Sequence, residues 1–478
     1  KSDVSKTWHK HKMAFLERNA NSGSVPTGYD IPGSIKFEEN NTEGMYAQPT
    51  AAGNRRTWTV SAWFKRSEIS RASTYMPLVQ AQVGSETGSI YLLATDKIIV
   101  DVGYGGTRNR MQTKAVYRDT SAWYHIVWRV DTTQGTAANR NRVYINGVLQ
   151  ELDTIDGYPD QNFESFFNNN IPIYVGTYGT LNNYGYCGYM AEIQMTDGVS
   201  NAPTEFGEFD GDTGIWKPIK YEGSYGAQGF YLPFDDSSQI GKNGHGNDVN
   251  FTLQNIAAAD YSTDTPTNNF CTFNDANMYG NTASLAEGAT FTASTANGAF
   301  TTYGTMAPSA GKWWWEGKIQ VFADTAYACI GATTNLAGLP SVSAQLSGGH
   351  VIKLSKAQKW VLNDTGYGYG AAYADGDIIN VGLDLDNRKF YSYKNGTIDD
   401  ANGIDISSTT FDGFGDQWMP LVITYGSGGA SSYEINFGGY RTYGISSPQS
   451  DANGYGTFEY APPSGYYSLC TKNLAEFG

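Results

Sequence analysis

From Ser34 onward, apolar and polar residues alternate over short runs. Turn-forming residues interrupt the pattern roughly every 8–12 positions, the rhythm of a β-sandwich. Residues 57–64 place Trp58, Val60 and Ala62 on one face of an extended chain and Trp63 on the other, because side chains alternate across a strand. Residues 90–93 and 98–102 flank a polar turn, and 123–130 reads as one long strand. Residues 142–145 and 148–150 form a predicted hairpin around Asn146-Gly147, a pair suited to the positive φ angles of a tight turn. Residues 173–176 and 189–195 complete this run.

The stretch 261–270 is rich in Thr, Asp, Asn and Pro and reads as a boundary. A second β-run follows. Within 311–319, Trp313 and Trp315 share one face and Trp314 takes the other. Residues 378–385, 389–394 (closed by Asn395-Gly396), 420–423 and 433–437 continue it. The expectation is an all-β chain of two tandem antiparallel β-sandwiches of the jelly-roll type. Its domains would be an extension at 1–33, a first sandwich at 34–262 and a second at 263–478.

The first residues differ from the rest. Lys1, Lys6, Lys10, Lys12 and Arg18 face only Asp3 and Glu17, and Trp8, Met13, Phe15 and Leu16 would line one side of a short helix from about Lys6 to Asn19. Such a segment reads either as an anchor on a partner or as a frayed terminus.

Composition narrows the function. Of 478 residues 56 are Gly and 14% are aromatic, while only 17% are charged; this is strand and turn stock rather than long-helix stock. The net charge of −15 leaves no basic stripe for phosphates, so no nucleic-acid partner is expected. No apolar run approaches the roughly 18 residues of a membrane span. Cys187, Cys271, Cys329 and Cys470 have no metal-ligand spacing and read as buried free thiols.

No catalytic set stands out, and no enzyme is expected. A glycosidase needs two carboxylates about 5–9 Å apart. Glu205, Glu208, Asp210 and Asp212 crowd one loop instead, and Asp384 and Asp386 share a strand face beside a turn. A triad needs a positioned histidine; His125 lies mid-strand, where a packed, hydrogen-bonded side chain is the ordinary outcome. Binding is better supported. Three Gly-rich segments carry Tyr or Asn with little charge: 103–106 with Tyr104, 182–186 with Asn183, Tyr184 and Tyr186, and 365–370 with Tyr367 and Tyr369. Tyrosine offers a flat apolar face and a hydroxyl at low entropic cost. The same rings would equally serve to pack beneath their own loops. Segment 365–370 is the first choice.

Several phrases resemble known families. Thr-Val-Ser-Ala-Trp-Phe-Lys (59–65), Trp-Tyr-His-Ile-Val (123–127), Val-Tyr-Ile-Asn-Gly-Val (143–148) and Tyr-Met-Ala-Glu-Ile (189–193) resemble the laminin-G-like, concanavalin-type jelly roll. That family's opening strand is displaced to 230–236, followed by a Gly-Asn turn and 251–253. Segment 228–255 is therefore expected to return and complete the first sandwich, since a missing edge strand would leave backbone groups unpaired; the alternative is an independent connecting subdomain. The second half resembles the SPRY domain through its Trp-Trp-Glu strand (314–316), 376–386, the strand ending in Asn395-Gly396, Pro420-Leu421-Val422 and 433–438.

The two units in this order, with the linker 264–270 and the closing 462–474, look like tail or fibre proteins of marine bacteriophages. The resemblance implies a virion structural protein, part of a tail or surface appendage, that displays its sandwiches for adhesion to a bacterial glycan or protein. It would attach to other virion proteins through the N-terminus and act as a homo-oligomer, a trimer by analogy with fibres. Alternatives are a decoration or cement protein and a polysaccharide-degrading tailspike. No cofactor is expected apart from Ca2+, which the rims of laminin-G-like domains hold. The loop with Asp210 and Asp212 and the turn at Asp235 and Asp236 are its candidates, although such loops are commonly plain turns.

Overall fold

The alternation in 57–66 is realised as the strand Thr57–Arg66. Trp58, Val60, Ala62 and Phe64 point into the core. Trp63 faces outward and stacks on His125 at 4.6 Å. Inside, Trp58 meets Trp128 edge-on at 4.6 Å and Phe167 at 5.0 Å. Both indole N–H groups are satisfied, Trp58 by Ser165 Oγ at 2.7 Å and Trp128 by Asn141 Oδ1 at 2.6 Å, so neither ring carries the cost of an orphaned buried donor.

A computed structural model of the chain describes residues 28–38, 43–69, 75–84, 86–104, 108–179, 184–247, 249–275, 278, 283–293, 298–321, 326–334, 350–354, 358–361, 365–368, 370–407, 416–426, 431–440 and 443–478. The described elements are almost entirely strands in antiparallel sheets. The described α-helix, Thr471–Phe477, lies at the C-terminus. The helix predicted from Lys6 to Asn19 lies outside the described residues. Among the described residues no helix is long and apolar enough to cross a membrane.

Val25–Thr267 forms one unit, and Asn268–Gly478 falls in another. The first unit is built on two eight-stranded sheets. The first sheet runs, in spatial order, Val148–Leu149, Asn141–Ile145, Trp123–Asp131, Thr57–Arg66, Gly188–Asp197, Ser34–Phe37 and Tyr261–Ser262. The second runs Leu152–Thr154, Arg108–Thr113, Ile98–Tyr104, Glu86–Leu92, Met76–Val83, Ile173–Val175, Gly44–Ala47 and Thr252–Gln254. The Asn146-Gly147 hairpin has φ of +47° and +76°, as its turn type requires.

Segment 228–255 pairs with both sheets. Phe230–Leu232 lies along Gly188–Asp197, with Ile193 opposite Leu232. Thr252–Gln254 lies along Gly44–Ala47, with Leu253 opposite Met45. Phe230, Leu232, Phe234 and Phe251 join the core. The first unit extends to Thr267, five residues past the boundary expected at 262, because Asp264 is tied into it. Its carboxylate accepts from Lys65 Nζ at 2.7 Å and Trp123 Nε1 at 3.0 Å. Its carbonyl accepts from Ser34 Oγ at 2.6 Å.

The second unit contains a nine-stranded and a six-stranded sheet. In Lys312–Val321, Trp313 and Trp315 enter the core, while Trp314 packs outside with Phe458 and Tyr466. Glu316 shares the outward side. Its carboxylate accepts from Asn380 Nδ2, Tyr443 OH and the N–H groups of Glu459 and Tyr460 at 2.8–3.0 Å, pinning the closing segment to the sheet. Thr365–Gly368, expected as a loop, is an edge strand paired with Gln358–Val361. All four cysteines are buried, and none forms a disulfide.

Candidate functional site

The second sheet of the first unit turns one face to the core. Met45, Val79, Ala81, Ile90, Leu92, Val100, Met111, Ile173 and Val175 are core residues. The positions between them therefore face outward. Strand register aligns those positions in a row. Thr252 lies opposite Tyr46, Tyr46 opposite Tyr174, and Tyr174 opposite Gln80. Gln80 then lies opposite Ser89, Ser89 opposite Asp101, and Asp101 opposite Arg110. Tyr46 and Tyr174 make ring contact at 6.0 Å. Arg110 is paired with Asp156, and Asp101 accepts from the N–H of Gly103 at 3.0 Å.

A cluster of four tyrosines adjoins this row. Tyr75 meets Tyr91 edge-on at 5.1 Å, Tyr184 edge-on at 5.6 Å and Tyr178 in a stacked arrangement at 6.3 Å. Tyr91 lies in Glu86–Leu92, opposite Pro77 on one side and Ile99 on the other. Burial and the neighbouring Asp101 carboxylate push its hydroxyl well above the ordinary range, so it stays a neutral donor. Tyr75, Tyr178 and Tyr184 are half-buried. The Thr177–Gly185 bridge and the bond from Tyr178 N to Tyr184 O hold the last two side by side. Such a group can present ring faces and hydroxyls to a polyhydroxylated ligand.

Of the residues expected to bind ligand, Tyr184 belongs to this cluster. Tyr186, two positions on, is a core residue: its ring meets Phe37 at 6.1 Å and its hydroxyl donates to Lys65 O at 2.7 Å. It cannot serve as a surface contact, because the chain turns inward after Gly185. Tyr104 ends the Ile98–Tyr104 strand and Tyr367 lies in the Thr365–Gly368 edge strand; their side chains lie outside the described ones. Asn183 and Tyr369 lie outside the described residues. Tyr75, Tyr91, Tyr178 and Gln80 were not anticipated. Outward alternation marks Gln80 and Tyr91, but only strand register brings them together.

The outer face of the first sheet holds the groups most like catalytic ones. His125 Nε2 lies 2.8 Å from Ser61 Oγ, the spacing of a nucleophile and its base. However, Trp216 Nε1 lies 3.0 Å from the other ring nitrogen, Nδ1, and an indole N–H only donates. Nε2 therefore carries the ring proton and donates to Ser61, so this histidine has no lone pair with which to activate the serine. Burial pushes its pKa down to about 3.

Glu192 occupies a bulge in Gly188–Asp197 at φ +49°. It accepts from Tyr231 OH at 2.6 Å and Gln194 Nε2 at 3.0 Å, and burial pushes its pKa up to about 7. Tyr225 OH donates to Gln194 at 3.0 Å, and its ring stacks on Tyr231 at 5.6 Å.

Two of the carboxylates suggested for calcium, Asp210 and Asp236, are engaged in turns. Asp210 accepts from the N–H groups of Asp212 and Thr213, from Thr213 Oγ1 and from Lys217 Nζ. The Thr213 bonds hold its pKa down to about 2. Asp236 accepts from Ser238 and Gln239. Glu38, Glu43 and Asp260 converge closely enough to hold a metal ion, but Lys36 Nζ already bridges Glu38 and Asp260. An ammonium thus supplies positive charge to that cluster. Asp384 is taken up by Lys312 and Asn387.

Residues 40–203 match the family of concanavalin A-like lectins and glucanases, in its laminin-G branch. The first unit thus contains a laminin-G-like domain of the concanavalin jelly-roll fold. No curated protein matches the chain. Among solved structures, the chain is similar to the SPRY domain of human HERC1, at 14% identity and a TM-score of 0.28, covering 34% of this chain and 96% of that one. It is also similar to a second human SPRY domain, at 14% identity and a TM-score of 0.26, covering 32% and 92%. A third is the heptameric SAP-like pentraxin of Limulus polyphemus, at 15% identity and a TM-score of 0.27, covering 36% and 80%.

Proposed function

We propose that this chain is a non-enzymatic adhesion protein that binds a glycan through the outer face of the second sheet. The observation carrying this reading is the half-buried cluster of Tyr75, Tyr178 and Tyr184 against Tyr91. Stacked and edge-on rings leave flat faces for the C–H surface of a sugar and hydroxyls for its oxygens. The lectin and glucanase family matched by 40–203 supports the choice of ligand class. The tautomer of His125 removes the most dyad-like pair from consideration.

The finer form of the proposal places the chain on a virion, in a tail or surface appendage that meets a bacterial surface. Its support is the order of laminin-G-like and SPRY-like phrases along the sequence. Copies in an oligomer would multiply weak single-site affinity through effective concentration.

The test is a polysaccharide panel spread on a sensor surface and probed with the purified chain and a Tyr178→Ala/Tyr184→Ala variant. The variant should bind at least about tenfold more weakly, ~1.4 kcal/mol, with an unchanged unfolding midpoint. Equal binding by the two proteins would contradict the assignment. Release of reducing ends from the polysaccharide would contradict the non-enzymatic reading.

A further inference from the structure

Gln80 stands out on this face. Its side chain is 0% exposed, and neither Oε1 nor Nε2 has a hydrogen-bond partner. A buried amide in that state costs about 1–3 kcal/mol for each unmet group, so the position is poor for stability alone. Leucine or valine would suit a buried strand position better. Its cross-strand neighbours are the Tyr174 ring on one side and the Ser89 hydroxyl on the other.

The amide presents an acceptor and a donor side by side. Two adjacent hydroxyls of a pyranose offer the complement: one O–H donates to Oε1 and the neighbouring oxygen accepts from Nε2. A carboxylate, which only accepts, cannot satisfy both atoms. The described groups nearest the amide, the Tyr174 ring and the Ser89 hydroxyl, carry no charge, which suits a neutral ligand better than an acidic one.

We infer that Gln80 is the hydrogen-bonding base of a site for an uncharged saccharide, binding a vicinal diol with its carboxamide. The inference rests on the adhesion reading above and adds the ligand's chemistry to it. Access runs through the tyrosine cluster. The chain after Thr177 crosses this face, since a side chain at Gly179 would collide with the carboxamide of Gln82, which shares the outward side of the strand with Gln80. Tyr178 and Tyr184 are half-buried there. On this proposal the sugar displaces these rings to reach the carboxamide.

The experiment uses the purified chain and five immobilised probes: mannan, dextran, alginate, and mannan and dextran each after periodate oxidation and borohydride reduction. Periodate cleaves vicinal diols and leaves other hydroxyls. Retention by mannan or dextran, lost after oxidation and reduced at least tenfold by Gln80→Ala, is the expected result. Gln80→Ala should unfold no earlier than the wild type, because it removes an unsatisfied amide. Gln80→Glu should also lose binding, since it replaces the donor with an acceptor. Binding that survives oxidation, binding indifferent to both variants, or preference for alginate would overturn this inference and leave the adhesion reading standing. Retention by none of the probes would count against both.

Discussion

The two outer faces of the first sandwich are built from similar residues and finished differently. On the first sheet, Lys65 meets Asp264, Ser61 meets His125 and Trp216, and Glu192 meets Tyr231 and Gln194. Strands and loops from 200–267 cover this face, and the polar groups named are satisfied by them. On the second sheet, Gln80 is buried without a partner and the tyrosines beside it are half-buried. The difference separates architecture from binding. A perturbed pKa, a positive φ or a serine–histidine contact is weak evidence of function when every partner is internal. An unmet polar group beside accessible rings is the stronger sign.

The largest expected effect lies on the closed face. Asp264→Ala removes the carboxylate that accepts from the buried Lys65 ammonium and from Trp123, so the first unit should lose about 3–5 kcal/mol of stability, read by denaturant unfolding. A loss below about 1 kcal/mol would mean that this face is not held by its polar contacts. Next comes pH. The Glu192 carboxyl is raised from 4.5 to about 7, so the folded state favours its neutral form. The stabilisation is full below pH 4.5 and is lost as pH rises through 7, a difference of about 3 kcal/mol. Glu192→Gln should therefore unfold later than the wild type at pH 8 and not at pH 4. The reverse order would show that the carboxylate is favoured where it sits. Smallest is the tenfold weakening assigned to Tyr178 and Tyr184, which acts on binding and leaves stability alone.

Much of the fold was legible in the chain. Alternation put Trp58, Val60 and Ala62 inside and Trp63 outside, and separated Trp313 and Trp315 from Trp314. Two Asn-Gly pairs marked hairpins, with positive φ at both residues of each. The candidate site was legible only at Tyr184. Local composition cannot separate it from Tyr186, because the inward turn after Gly185 depends on a bridge to Thr177. Nor does composition bring Tyr75, Tyr91 and Tyr178 together, since they lie far apart in sequence and meet through strand pairing. Gln80 lies in Met76–Val83, a strand absent from the sequence reading, and its lack of a partner follows only from packing.

Hydrogen–deuterium exchange with and without the best-binding neutral polysaccharide tests the central claim most directly. The account predicts added protection in peptides spanning Tyr75–Leu92 and Ile173–Tyr184, with little change at Trp123–Asp131 or Gly207–Tyr231. Protection confined to those closed-face peptides, or to Asn268–Gly478, would contradict it.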